Sequence, residues 1–61
     1  MQGLIRIWYI EAENRRNKDR IVVELWAHDW EEVLIRVKPY AAKELRCEEI
    51  DLLIREYQEK P

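Results

Sequence analysis

Residues 5 to 28 read IRIWYIEAENRRNKDRIVVELWAH, and they constrain the fold more than any other part of the chain. Ile, Val, Trp and Tyr crowd both flanks, as a pleated surface favours. The polar ENRRNKD between them supplies a turn, and its Asn residues tolerate left-handed backbone. The pattern predicts strands over 4–13 and 20–28, folded back as an antiparallel hairpin. Alternate residues of a strand point to opposite faces. Setting Glu13 opposite Arg20 then pairs Ala12 with Ile21, Ile10 with Val23, Trp8 with Leu25 and Arg6 with Ala27. That is the natural core face. Its reverse pairs Glu11 with Val22, Tyr9 with Glu24, Ile7 with Trp26 and Ile5 with His28. Antiparallel sheets commonly keep one face wet. Here both faces are apolar, so something must cover the second one.

The next stretch, HDWEEVLIRVKPYAAKELR, opens with Asp29 and Glu32 at capping-box spacing. Trp30, Val33, Leu34, Val37, Ala41 and Leu45 follow on one helical stripe. Pro39 opposes a helix, since an interior proline costs about 3 kcal/mol. It falls opposite the stripe, however, where a kink is easiest to accommodate. The competing reading makes VLIRV a third strand that ends at the proline. In the tail, EEIDLLIREYQEK, Ile50, Leu53, Ile54 and Tyr57 keep helical spacing, with acidic residues leading and Lys60 at the end. Ile50, Leu52 and Ile54 also alternate, so a third antiparallel strand competes. Composition favours helix, because Glu, Leu, Arg and Gln dominate and Asp51 suits mid-strand poorly. The expected fold is therefore α+β: an N-terminal hairpin followed by a helical C-terminal half. A ββαβ or βββα arrangement with a three-stranded sheet is the alternative.

With 61 residues the chain suffices for one small domain, spanning 1–61. A domain of that size buries only about 60% of its unfolded surface, so its stability margin is thin. Small scaffolds add disulfides, a metal or oligomerisation. Cys47 is the only cysteine and His28 the only histidine, which excludes an internal disulfide and argues against a structural zinc site. Oligomerisation or a bound partner remains. No apolar run approaches the ~20 residues of a membrane span, and the first residues do not read as a secretory leader. With a lone thiol, this leads to the expectation of a cytoplasmic protein.

Catalytic chemistry finds little purchase here. The chain has no Ser and no Thr, and its one glycine, Gly3, rules out a glycine-rich phosphate loop. Cys47 reads as a space-filler beside the helical stripe, and His28 as a strand-end surface residue. The pairs Glu31–Glu32 and Glu48–Glu49 read as helix beginnings. No catalytic residue, metal or cofactor is expected. The one basic cluster is the turn itself, with Arg15, Arg16, Lys18 and Arg20. Residues 1–20 carry five basic and three acidic side chains, residues 21–61 six and ten, for a net charge of −2. That balance weakens broad attraction to nucleic acid.

Ile5, Ile7, Tyr9, Val22 and Trp26 therefore become the candidate binding residues, with Trp26 as anchor. The tail could fold over them, or another molecule could. A contiguous apolar patch on a small protein marks an interface. The sequence thus leads to the expectation of a non-enzymatic protein-interaction module, homodimeric through the hairpin face or its edge strand. In general build it resembles the small accessory and inhibitor proteins of phages and mobile elements, which implies a host protein as partner. The alternative is a nucleic-acid-binding protein that uses Arg15, Arg16, Lys18 and Arg20.

Overall fold

A computed structural model describes residues 3–57. Strand β1 spans Arg6–Asn14 and β2 spans Arg20–Ala27; helix α1 covers Trp30–Leu45. A single turn of tighter helix, Glu49–Asp51, leads into β3, Leu52–Glu56. The sheet order is β2-β1-β3, with both outer strands antiparallel to β1. The fold is α+β in the ββαβ arrangement.

The hairpin register is the expected one, running from Glu13 opposite Arg20 to Arg6 opposite Ala27. Side-chain alternation sets it, because a slip of one residue would move Ile10 and Ala12 out of the core. Trp8, Ile10, Ala12 and Ala27 from the hairpin meet Val33, Val37, Ala41 and Leu45 from α1 to form that core. Cys47, Leu52 and Ile54 pack against its margin. Trp8 is held at both ends: its indole N–H donates to the Ala27 carbonyl at 3.0 Å, and the Arg6 guanidinium lies 3.6 Å above its ring centroid.

Helix α1 begins as its cap predicts. The Asp29 carboxylate accepts the Glu32 N–H at 2.9 Å. The return arm of the box reaches one residue further back, where Glu32 accepts the His28 N–H at 2.8 Å. Pro39 sits on the exposed side and the helix runs through it. The buried stripe is narrower than expected. Trp30, in the first turn, stays partly exposed with its ring 6.0 Å from that of Trp8, and Leu34 is half-buried. The helix ends at Arg46, which adopts left-handed backbone (φ 56°) while the Cys47 N–H donates to the Ala42 carbonyl at 3.0 Å.

The tail departs from the helical expectation. Residues 52–56 form β3, which pairs Asn14 with Leu52, Ala12 with Ile54 and Ile10 with Glu56. The cause is long-range. Once α1 has turned back, β1 presents a row of unpaired backbone groups beside the core, and pairing them outweighs a weak local helix preference. Ile50 lies in the tight turn and is 79% exposed, so it anchors nothing. Asp51 precedes the strand instead of interrupting it. Its carbonyl accepts the Arg15 N–H at 2.9 Å, which ties the start of β3 to the end of β1. Among the described residues no helix is long and apolar enough to cross a membrane.

Candidate protein-binding face

Helix α1 covers one side of the sheet. Residues 52–56, used as a strand, cover neither side, so among the described residues nothing covers the other face. Its rows follow from the register. Ile7 lies beside Trp26; Tyr9 lies beside Glu24; Glu11 sits between Val22 and Arg55; Glu13 sits between Arg20 and Leu53. Tyr57 joins the second row, since its N–H donates to the Tyr9 carbonyl at 2.7 Å.

The face divides into two halves of different chemistry. Toward the hairpin turn an ion-paired ladder crosses all three strands. Arg55 Nε donates to Glu11 Oε1 at 2.8 Å, and Arg55 Nη2 donates to Glu13 Oε1 at 3.2 Å. Arg20 Nη1 reaches the other Glu11 oxygen at 3.3 Å. Exposed pairs of this kind contribute at most about 1 kcal/mol each. Their larger effect is to fix the arginines and neutralise the two glutamates. Away from the turn lies the apolar half. Tyr9 is 45% exposed and Trp26 55%, while Ile7 is half-buried and Ile5, just before β1, is exposed; Val22, 54% exposed, borders this half from its place beside Glu11.

All five candidate residues thus remain at least partly accessible, and the four within strands share the open face. Leu53, Arg55 and Tyr57 extend that face and were missed because the tail was read as a helix. Their signal was the alternation in LLIREY, which puts Leu53, Arg55 and Tyr57 on one side and Leu52, Ile54 and Glu56 on the other.

The basic turn is built differently from expectation. The left-handed residue is Lys18 (φ 70°), not an Asn. The two Asn side chains instead brace the loop: Asn14 Oδ1 accepts the Arg16 N–H and Asn17 Oδ1 accepts the Asp19 N–H, each at 3.0 Å. Asn14 is buried, and its amide also donates to the Leu45 carbonyl at 3.5 Å, linking turn to helix end. Arg15, Arg16, Lys18 and Arg20 are exposed, but Arg16 pairs with Asp51 at 3.3 Å and Arg20 with Glu11. Half of the cluster's charge is therefore spoken for.

His28 and Cys47 are not brought into a reactive pair. His28 Nδ1 contacts Glu32 Oε1 at 2.9 Å, and Arg36 approaches the other oxygen at 3.4 Å. Hydrogen bonds from the His28 backbone and ring, then the nearby Arg36 charge, hold the Glu32 carboxyl below its usual range. The Cys47 thiol is pushed up by desolvation at the core margin and by the neighbouring Asp51 carboxylate, so it stays protonated and a poor nucleophile. Among the described residues no group of three His, Cys, Asp or Glu side chains converges as a metal site. A shallow groove of about 560 Å³ runs between β2 and α1, with Val22, Glu24, Arg36, Val37, Tyr40 and Glu44 along it. No protein-family model, curated protein or solved structure matches the chain.

Proposed function

We propose that this protein is a non-enzymatic interaction module that binds another protein through the open face of its sheet. The observation that carries the reading is the uncovered apolar half around Tyr9 and Trp26, on a domain too small to leave such area unused. Trp, Tyr and Arg are the residue types that dominate binding hot spots, and this face offers Trp26, Tyr9, Tyr57 and Arg55. Completing the burial of six half-exposed apolar side chains contributes about 1 kcal/mol each, or about 6 kcal/mol. Equal burial on the partner doubles that, against an association cost of about 4–15 kcal/mol. Tighter binding requires partner charges placed against Arg55 and Glu24.

The test is affinity capture with the intact chain, Trp26→Glu, and Arg15→Glu with Arg16→Glu. The expected result is a partner protein retained by the intact chain and by the turn variant, but lost with Trp26→Glu. Retention by Trp26→Glu overturns the reading.

A second reading rests on one feature, three aromatic side chains on the open face of an antiparallel sheet, as sheet-based single-strand binders use for base stacking. Glu24 shares that face and opposes a phosphate backbone. This reading predicts salt-sensitive binding of single-stranded probes that disappears in the turn variant. An absence of binding at low salt ends it.

A further inference from the structure

The edge of β2 carries information independent of the sheet face. The Asn14 N–H donates to the Asp19 carbonyl at 2.8 Å, so Asn14 and Asp19 are a hydrogen-bonded pair. Antiparallel alternation then directs the backbone groups of Ile21, Val23 and Leu25 toward β1. The N–H and C=O groups of Arg20, Val22 and Glu24 point the other way, along an edge that no other described strand pairs with. Trp26 belongs to the same outward set, but its carbonyl accepts from Arg36 Nη1 at 3.1 Å, which closes that end. Between them lies an edge without proline, lysine or bulge, the devices that usually block strand addition. Beside it runs the groove against α1, where Tyr40 is half-exposed.

We infer that a second copy of this chain occupies that edge, the two β2 strands pairing antiparallel about a two-fold axis at Val22. Charge selects both the occupant and the register. Centred on Val22, the pairing sets Arg20 of each copy opposite Glu24 of the other, twice by symmetry, and Ile21 opposite Val23. Centred on Glu24, it sets two glutamates face to face. Centred on Val23, it needs the Trp26 backbone, which Arg36 already holds. Of these three registers, the Val22 one satisfies the free backbone groups and the charges together, through about six hydrogen bonds between the strands. The product is a six-stranded sheet whose open face is doubled and continuous. Partner binding by that face is a separate matter, because Trp26 and Tyr9 project from the face and take no part in the edge contact.

The test combines sedimentation equilibrium with residue-resolved amide exchange on the intact chain. The expected result is a monomer–dimer equilibrium in which the Val22 and Glu24 amides become protected as concentration rises. Glu24→Arg weakens the dimer about tenfold or more, and Arg20→Glu combined with Glu24→Arg recovers most of that loss. Far-UV circular dichroism verifies that the variants are folded. Three results overturn the inference: a monomer at every concentration, a dimer whose Val22 and Glu24 amides stay unprotected, or a dimer that ignores Glu24→Arg and is lost with Trp26→Glu. The last would place the contact on the sheet face.

Discussion

Arg46 and Lys18 are the two non-glycine residues with left-handed backbone among those described; Arg46 ends α1 and Lys18 lies in the hairpin loop. That conformation costs an L-residue about 1–2 kcal/mol, partly offset in a glycine substitution by the extra freedom of the unfolded chain. Arg46 is the cleaner site, since it closes α1 in the position where helices most often place glycine. Arg46→Gly should stabilise the protein by about 0.5–1 kcal/mol, a rise of roughly 3–6 °C in thermal midpoint. A lower midpoint in a thermal melt would contradict this account of the helix end. Such positions are invisible to pattern reading. In the turn the chain supplied Asn14 and Asn17, and both were diverted to side-chain braces while Lys18 took the strained backbone.

At the scale of the element, α1 is held at its start by Asp29 and Glu32, and the second of these makes stability depend on pH. Hydrogen bonds from His28 depress the Glu32 pKa in the folded state. A depressed carboxylate stabilises the fold above its unfolded value and loses that contribution as pH falls through the folded value. Glu32→Gln should therefore melt below the intact chain at neutral pH, with the gap narrowing as pH drops through the carboxylate range. A gap unchanged down to about pH 3 would contradict the assignment. The helix and the hairpin were legible because their evidence is local: alternation fixed which residues face the core, and the Asp29–Glu32 spacing marked the helix start. The tail was not legible in the same way. Ile50, Leu53, Ile54 and Tyr57 satisfy a helical period as well as Leu52 and Ile54 satisfy a strand. Only the open side of β1, a partner 38 to 46 residues away in sequence (Asn14 to Leu52, Ile10 to Glu56), decides between them. That single misreading hid Leu53, Arg55 and Tyr57 from the candidate face and left open what covers it.

As a whole the molecule is a thin slab, 13 Å through in its shortest direction, with one helix on one sheet. A two-layer domain of this kind has one buried sheet face by construction. The other face must be made polar or used. Here the half near the turn is made polar by the Arg20–Glu11–Arg55–Glu13 ladder, while the half with Ile7, Tyr9 and Trp26 is not. The core is correspondingly small, built around Ile10, Val33 and Val37 as its largest fully buried side chains. The proposed association through the open side and the β2 edge would give the chain a route to stability that its size denies it alone.

The most direct measurement of the central claim places a photoreactive benzoylphenylalanine at position 26 and, as a control, at position 38 on the exposed side of α1. Each version is irradiated in an extract of its native source. The account predicts a covalent adduct with a distinct protein from position 26, and none from position 38. Equal capture from both positions, or capture from position 38 alone, would contradict it.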